Sequence, residues 1–331
     1  MMEKFNALVI ADVDGKPQAS FKELGLGDLP DLDVLVEVAC STLNYKDGLA
    51  VSGKQKIARK PPLIGGIDLA GKVVESASPD WAVGDRVVVN GWGLSEVHNG
   101  GYSRYQRVKP EWIVRLPDAI SFEQAMAIGT AGYTAALCVN ALERWGAITP
   151  GSGDVLVTGA AGGVGSVAIA LLASAGYRVT ASTGRQSEAE YLRGLGASEI
   201  IDRATLSEKG PPLQKERWAG AVDSVGSVTL ANVLSQTVYG GAVAACGLAG
   251  GADLPATVLP HILRGVALLG VDSVMAPHAL RAAAWSRLEK DLDFDKLSAM
   301  TTVEPMSRLP ELAVDILAGK IRGRVVIDVT R

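Results

Sequence analysis

Cysteine, histidine and aromatic residues are scarce in this chain. Among its 331 residues are three cysteines and three histidines, and aromatic residues make up 5%. The cysteines, Cys40, Cys138 and Cys246, are far apart and lie in apolar surroundings. This excludes a disulfide-rich secreted domain, so we expect reduced core thiols and a cytoplasmic location.

Excess charge and long hydrophobic runs are also missing. The net charge is −4 with both signs interspersed, so the sequence does not predict a nucleic-acid-binding surface. The N-terminal stretch contains an early Asp12, which argues against a signal peptide. No apolar run reaches the roughly 18 residues of a membrane span, and we expect no membrane association.

Motifs of covalent catalysis are absent too. The sequence has no Ser-His-Asp series and no Gly-x-Ser-x-Gly, so acyl-enzyme chemistry has no support. What the chain does have is 48% hydrophobic residues and 38 glycines. That composition is typical of a well-buried α/β protein with many tight turns, and the length predicts two domains.

Residues 1–120 read as short strands separated by turn residues. Val- and Ile-rich segments such as FNALVI, DVLVEVACST and DRVVVN follow one another closely. Strands spaced in this way, without helices between them, predict a barrel or a curled sheet. The pattern changes near residue 121, where Ser121 and Gln124 form a capping box that predicts the start of a helix.

Strands alternate with helices from Val155 onward. The predicted strands are VLVTG, RVTAST, EIID, GAVDSV, GAVAACG and VALLGVD, with helical stretches at 165–175 and 187–195 between the first of them. This alternation predicts an α/β fold with a doubly wound parallel sheet of the Rossmann type.

The C-terminal part has a third pattern. Helices are predicted at 278–292 and 309–318, followed by a last strand, RVVIDV. A short αβ tail after the βα units predicts a return to the first domain. The predicted division is residues 1–126 with 275–331 for the first domain, and 127–274 for the second.

The segment VLVTGAAGGVG, at 155–165, has the strand, turn and helix start that bind a nucleotide pyrophosphate. It matches the dinucleotide fingerprint, except that Ala160 replaces the first glycine. Ser166 follows the last glycine where a P-loop needs lysine, which excludes a P-loop. The residues predicted to contact the cofactor here are Ala161, Gly162, Gly163, Val164 and Gly165.

The end of the following strand indicates which dinucleotide is bound. NAD-binding versions carry an acid about 20 residues past the turn, whereas here the strand runs into Ser182, Thr183, Gly184 and Arg185. Two hydroxyls and a guanidinium suit a 2′-phosphate, so we predict NADPH, with Arg185 as the main contact and Arg203 as a second. The alternative for Arg185 is a solvated cation at a helix start.

Ligands of doubly wound sheets lie beyond the carboxyl ends of the strands. Ser224–Gly226, Gly247, Leu248 and Ser273 follow predicted strands, so we expect them on the nicotinamide side of the cofactor. Each of them also fits an ordinary turn.

Several stretches beyond the glycine turn resemble one family over essentially the whole length. They include STLNYKDGLAVSGK (41–54), GIDLAGKV (66–73), NGWGLSEVHNGGYS (90–103), GLAGGADLPATVLPHILRGVALLGVDSV (247–274) and GRVVIDV (323–329). The chain resembles the zinc-free, quinone-oxidoreductase-like branch of the medium-chain dehydrogenase/reductase superfamily, and within it the NADPH-dependent acrylyl-CoA reductases. The resemblance implies a GroES-like, β-barrel-type catalytic domain beside the Rossmann domain.

The same resemblance leads us to predict no metal. Zinc members of the superfamily carry a cysteine near the position of Asn44 and Gly-His-Glu where this chain has Gly66, Ile67 and Asp68. Isoleucine cannot ligate zinc, and a zinc site needs three or four N, S or O ligands.

For an acrylyl thioester, the resemblance implies that hydride arrives at the β-carbon and a proton at the α-carbon. The protein then orients the substrate and stabilises the enolate. The resemblance also places Asn44 and Tyr45 in a cleft between the domains, so we predict both as catalytic residues and Tyr45 as a cofactor contact. A tyrosine is protonated at neutral pH and can donate to the carbonyl or supply the α-proton. The alternative for Tyr45 is plain packing.

Coenzyme A carries phosphates, so cations are expected near its binding site. One group is Lys54, Lys56, Arg59 and Lys60 in a single loop, and another is Lys320, Arg322 and Arg324. Charge runs are usually solvated faces. By resemblance Arg324 faces the substrate cleft, and we predict it as the substrate-binding residue.

Two other functions remain open from the sequence. One is an NADPH-dependent reductase of quinones or small enones, and the other is an NADPH-binding protein without turnover. The basic positions and the family-like stretches favour an acyl-CoA. VALLGVDSV, at 266–274, reads as an apolar edge strand that needs a cover, and the resemblance implies a homodimer formed through it.

Overall fold

The computed structural model describes residues 4–331, which form two compact units. The first unit comprises residues 4–130 and 298–331, and the second comprises 131–297. The C-terminal segment of the first unit thus begins at 298, whereas the sequence predicts 275.

The first unit begins with strands and one short helix. In chain order they are β1 (Lys4–Val13), β2 (Lys16–Gly25), β3 (Val34–Leu43), α1 (Tyr45–Val51), β4 (Leu63–Ile64), β5 (Asp68–Ser76), β6 (Arg86–Asn90), β7 (Tyr105–Val108) and β8 (Val114–Arg115). Helix α2 (Phe122–Trp145) follows. The predicted capping box is confirmed, because the amide of Ser121 donates to Oε1 of Gln124 at 2.9 Å and the amide of Gln124 donates to Oγ of Ser121 at 3.0 Å.

The hairpin of β1 and β2 is longer than the sequence predicts. The two strands pair antiparallel over their full lengths, whereas only FNALVI was expected. Asp14 and Gly15 connect them with φ of 52° and 78°. An Asp-Gly pair with positive φ at both residues is typical of a two-residue hairpin turn, so the signal was present in the sequence.

The second unit alternates strands and helices. Its elements are β9 (Asp154–Val157), α3 (Gly163–Ser174), β10 (Arg178–Thr183), α4 (Ala189–Leu195), β11 (Glu199–Asp202), β12 (Trp218–Asp223), α5 (Ser227–Gln236), β13 (Thr237–Ala245), α6 (Leu259–Arg264), β14 (Ala267–Gly270), α7 (His278–Asp291) and α8 (Phe294–Ala299), whose last two residues belong to the first unit. The strands form one parallel sheet in the order β11-β10-β9-β12-β13-β14. The predicted doubly wound fold is therefore confirmed.

The chain ends with β15 (Thr301–Pro305), α9 (Leu309–Leu317) and β16 (Arg324–Asp328). Strand β16 pairs antiparallel with β3, so the tail completes the seven-stranded sheet of the first unit. Helix α9 packs against α1. The later boundary at 298 has a physical cause, because α7 packs against α3 of the second unit.

Helix α2 is long and apolar enough to cross a membrane by length and composition alone, and 83% of its apolar window is buried inside the protein. Burial of this extent is typical of a core helix. The helix is also broken at Gly129, whose φ and ψ are 49° and −163°.

Candidate functional site

The predicted nucleotide turn lies between β9 and the start of α3. Gly162 is the N-cap residue of the helix, and the first bond of its backbone ladder runs from the amide of Ser166 to the carbonyl of Gly162 at 2.9 Å. The amides of Gly163, Val164 and Gly165 therefore precede the intrahelical bonds. Free amides at a helix N-terminus bind phosphate well, because the helix dipole adds to their hydrogen bonds.

Gly165 allows the helix to lie close to the strand that precedes it. A Cβ at this position would lie 2.7 Å from the Cα of Ala160. The amide of Ala160 in turn donates to the carbonyl of Ser182 at 3.2 Å, which ties the turn to the end of β10. The last glycine of the fingerprint thus has the packing role expected of it.

The residues predicted to contact the 2′-phosphate differ in exposure. Ser182 and Thr183 are buried, Arg185 is half-buried, and Gly184 and Arg203 are exposed. The amide of Arg185 donates to the hydroxyl of Thr183 at 3.1 Å. A Cβ on Gly184 would collide with the guanidinium of Arg203, so both arginines lie next to this glycine.

The segments after β12 and β13 meet at the same edge of the sheet. A Cβ on Gly247 would lie 2.9 Å from the Cα of Ser224. The Asp223 carboxylate accepts hydrogen bonds from the Thr158 hydroxyl at 2.6 Å and the Gly226 amide at 2.8 Å. Burial raises the pKa of Asp223.

Leu248 and Ser273 have different surroundings. The side chain of Leu248 is exposed. The carbonyls of Ser273 and Val274 accept from Nη2 of Arg281 at 3.3 and 2.7 Å. Arg281 itself is buried with its guanidinium over the ring of Tyr133, and no sequence pattern identified this support of the segment.

The residues of the second unit fit NADPH. Backbone amides at the start of α3 can bind a pyrophosphate, and the absence of a side chain at Gly165 lets the helix lie close to Ala160 of the turn. Arg185 and Arg203 supply positive charge beside Gly184, where an NAD-binding site has an acid. Which of these residues touch the cofactor remains a prediction.

In the first unit, Asn44 and Tyr45 mark the start of α1. Asn44 is the N-cap residue, and its backbone amide donates to Oδ2 of Asp47 at 2.9 Å. The pattern Asn-x-x-Asp is thus a capping box, a helix-start signal that is present in the sequence. The side chain of Tyr45 is 46% exposed and so remains accessible on the first unit.

Asp47 has partners other than its chain neighbour Lys46. It is fully buried and also accepts from the amide of Ile67 at 3.0 Å, whereas Lys46 forms an ion pair with Glu96 at 2.7 Å. Burial, assisted by the charge of Asp68, raises the pKa of Asp47 to about 7.

Asp68 is the centre of a buried polar network. Its Oδ1 accepts from Asn90 at 2.6 Å and from the Thr130 hydroxyl at 2.5 Å. Its Oδ2 accepts from Nδ2 of Asn44 at 2.8 Å and from the Thr130 amide at 2.9 Å. Asn90 and Thr130 were not singled out by sequence, because single positions without a motif carry no signal.

The structure buries Arg324, the residue predicted as the substrate contact. The residue is 3% exposed, and its donors reach Ala127 O at 2.7 Å, Thr42 Oγ1 at 2.8 Å and Asn44 Oδ1 at 3.3 Å. Burial lowers the pKa of Arg324, while Asp68 and Asp47 oppose the shift. Nε and Nη2 of Arg324 are thus bonded to protein acceptors, and its contact with the substrate stays a prediction.

The loop cations are partly neutralised. Lys56 pairs with Asp12 at 3.2 Å, and Arg59 pairs with Glu96 at 3.0 Å. Lys54 and Lys60 are exposed. These ion pairs support the alternative that Lys56 and Arg59 are solvated surface charges and not phosphate-binding residues.

The three cysteines are free thiols, and Cys138 lies next to Cys246, whose Sγ donates to the carbonyl of Asp223 at 3.4 Å. Their contact was hidden by their separation in the sequence. That contact and burial raise the pKa of Cys138 well above its ordinary value. Within residues 4–331, no group of three or more His, Cys, Asp and Glu side chains is placed to hold a metal ion.

Two family models match the chain. Residues 30–118 match the alcohol dehydrogenase GroES-like domain, and residues 163–290 match the zinc-binding dehydrogenase model. The first confirms the predicted GroES-like domain beside the Rossmann sheet.

Among curated proteins, the chain is 54% identical to acrylyl-CoA reductase AcuI of Ruegeria pomeroyi, over 98% of this chain and 99% of the relative. Among solved structures it is similar to the yhdH oxidoreductase of Salmonella enterica in complex with NADP, with TM-score 0.95, 50% identity and coverage of 98% of this chain and 99% of that one. Bacillus subtilis YhfP, a putative quinone oxidoreductase, is 48% identical over 92% of this chain and 93% of the relative. Its structure has NAD bound, with TM-score 0.95.

Proposed function

Because this chain belongs to the acrylyl-CoA reductase group of the quinone-oxidoreductase-like medium-chain dehydrogenases/reductases, we propose that it reduces a short α,β-unsaturated acyl-CoA with NADPH. For acrylyl-CoA the product is propanoyl-CoA. The observation that carries the proposal is the 54% identity, over almost the whole of both chains, to the acrylyl-CoA reductase of Ruegeria pomeroyi.

The second unit binds the cofactor in this proposal. The amides of Gly163, Val164 and Gly165 hold the pyrophosphate, and Arg185 and Arg203 hold the 2′-phosphate. Support comes from the open helix start, from the Arg203 guanidinium beside Gly184, and from Nη2 of Arg185, which lies 3.4 Å from the carbonyl of Ala161 in the turn. Ser224, Gly247, Leu248 and Ser273 are proposed for the nicotinamide side because they follow the carboxyl ends of strands.

The first unit supplies the groups that act on the substrate. When bound, NADPH supplies the hydride that adds to the β-carbon of the enoyl thioester. Tyr45 donates a hydrogen bond from its exposed hydroxyl to the thioester carbonyl, which stabilises the developing enolate. The proton of the α-carbon comes from Tyr45 or from water.

Asn44 holds Tyr45 in place rather than binding the substrate through its amide hydrogens. Both hydrogens of its Nδ2 are used, one towards Asp47 at 3.0 Å and one towards Asp68 at 2.8 Å. We assign Arg324 to the same holding function, because Nη2 of Arg324 donates to Oδ1 of Asn44.

Reduction of a quinone is the second candidate function. It is favoured by the 48% identity to the putative quinone oxidoreductase YhfP of Bacillus subtilis. The two functions share the fold and differ in the acceptor.

We also propose a homodimer and a cytoplasmic location. Strand β14 is the last strand of the sheet and pairs with β13 on one side. Leu268 on this strand and Ile262 and Leu263 on α6 are exposed, an apolar edge that a second copy would cover. The free state of the three cysteines supports a reducing compartment.

The test of the proposed function follows the loss of NADPH absorbance with acrylyl-CoA and, separately, with a quinone. We expect oxidation with acrylyl-CoA and propanoyl-CoA as the product. Oxidation with the quinone alone would favour the second candidate, and no oxidation with either would favour a binding protein without turnover.

A further inference from the structure

Thr130 follows the break in helix α2. Both its backbone amide and its side-chain hydroxyl reach the polar network around Asp68. We propose that Thr130 is a positioning residue for the reaction: it fixes the Asp68 carboxylate, which fixes the amide of Asn44, the residue that caps the helix carrying Tyr45. This inference rests on the role proposed above for Tyr45.

The break in α2 is built into the sequence at Gly129. Its φ of 49° lies in the left-handed region, which favours glycine. A Cβ there would lie 2.7 Å from Nη2 of Arg324 and 3.2 Å from Oδ2 of Asp68. Glycine is therefore required both by the backbone and by the approach of these two charged groups.

The break turns Thr130 towards Asp68 with two donors. Its amide lies 2.9 Å from Oδ2 and its hydroxyl 2.5 Å from Oδ1. On the other side of the break, the carbonyl of Ala127 accepts from Nε of Arg324 at 2.7 Å. A donor and an acceptor of the interrupted helix are thus satisfied by side chains from two other elements.

Asp68 has no freedom to turn in this arrangement. A carboxylate offers about four acceptor sites, and here two bonds come from Thr130, one from Asn90 and one from Asn44. Rotation of the carboxylate in either direction breaks at least two of these bonds. Thr130 supplies half of them and so determines where Oδ2 meets Asn44.

The position of Oδ2 determines the orientation of the Asn44 amide. Nδ2 of Asn44 faces the two carboxylates of Asp47 and Asp68, and its Oδ1 faces Arg324. A flipped amide would place its oxygen against two acceptors and its nitrogen against a cation. Asn44 in turn begins α1, and Tyr45 is the first residue of that helix.

Replacement of Thr130 by valine tests the hydroxyl alone. Valine keeps the shape and the backbone amide but removes the donor to Oδ1, and Thr130→Ser restores it. Loss of a hydrogen bond to a charged group changes the equilibrium that it stabilises about tenfold or more. We therefore expect kcat with acrylyl-CoA to fall about tenfold in Thr130→Val. We expect the serine variant to stay close to the wild type, and the Kd for NADPH to be unchanged in both.

A matched control and a second variant accompany these. Thr134→Val makes the same chemical change one turn further along α2, and we expect it to keep the wild-type kcat. If Thr130→Val does not fold, Thr130→Ala removes the hydroxyl without placing a methyl group against the carboxylate.

A second measurement is independent of turnover. Proton exchange at the side-chain amide of Asn44, followed by NMR, is expected to be slow in the wild type and in Thr130→Ser and at least about tenfold faster in Thr130→Val. The proposal is overturned if the exchange rate is the same in all of them, or if serine lowers kcat as far as valine does. If the wild type does not reduce acrylyl-CoA at all, the proposed function fails, and the exchange rates alone decide on Thr130.

Discussion

Replacement of Arg185 by alanine is expected to weaken NADPH binding and to leave NADH binding unchanged. Arg185 is the second residue after β10, and the residue before it, Gly184, lies against Arg203. Nη2 of Arg185 is 3.4 Å from the carbonyl of Ala161, which belongs to the nucleotide turn. NADPH carries the 2′-phosphate and NADH does not, so loss of a contact to this group should weaken binding of NADPH alone.

The expected magnitude follows from the charge of both partners. A hydrogen bond to a charged group contributes about 1.5–3 kcal/mol, which corresponds to roughly a ten- to hundredfold change in Kd. Arg203 also lies next to Gly184, so in Arg185→Ala it can retain part of the affinity for NADPH. We therefore expect the double variant of Arg185 and Arg203 to lose more than either alone.

Fluorescence titration with NADPH and NADH measures this discrimination. Arg178→Ala is the matched control, because Arg178 lies at the opposite end of β10 and pairs with Asp154. Equal losses of affinity for NADPH and NADH would refute the 2′-phosphate assignment. A loss of the same size in the control would refute it as well.

Three further predictions concern packing, pH and assembly. Gly165→Ala places a Cβ 2.7 Å from the Cα of Ala160, so we expect weaker binding of both NADPH and NADH in the same titration; unchanged affinities would contradict the packing role. Burial raises the pKa of Asp47 from 3.8 to about 7, so its contribution to stability is complete at acid pH below 3.8 and is lost as the pH rises through about 7. Urea unfolding between about pH 5 and pH 8 should show falling stability in the wild type and a flatter profile in Asp47→Asn, and parallel profiles would count against this. Leu268→Lys should give a monomer in sedimentation. The control Tyr239→Lys, also at an exposed residue, should keep the mass of the wild type. A dimer in both variants would exclude β14 as the interface.

The fold could be predicted to a large extent because its signals are local. The βα alternation from Val155 onward and the capping box at Ser121 depend on residues close together in the chain, and the structure confirms them. The short strands β4 and β15 were missed because two and five residues without clear alternation give little periodicity.

The candidate site divides in the same way. The nucleotide turn and the Ser-Thr-Gly-Arg segment each lie within a single βα unit, so their chemistry can be predicted from the sequence. The polar network in the first unit cannot be predicted in this way, because Asp68 and Thr130 are 62 positions apart and Arg324 and Asn44 are 280 apart. The contact of Arg324 with Asn44 depends on the pairing of β16 with β3.

The burial of Arg324 could not be predicted from the sequence. Its position at the start of β16 matched the expectation for a substrate contact, yet the side chain is buried against Ala127, Thr42 and Asn44. Burial depends on three-dimensional packing, which a basic residue in a sequence does not reveal.

The most direct test of the central claim is the fate of isotopic label during turnover with acrylyl-CoA. With NADPH deuterated at the transferable hydrogen, we predict propanoyl-CoA that carries deuterium at the β-carbon. In deuterated water with ordinary NADPH, we predict deuterium at the α-carbon. Label from NADPH at the α-carbon, or turnover with a quinone and none with acrylyl-CoA, would contradict the account.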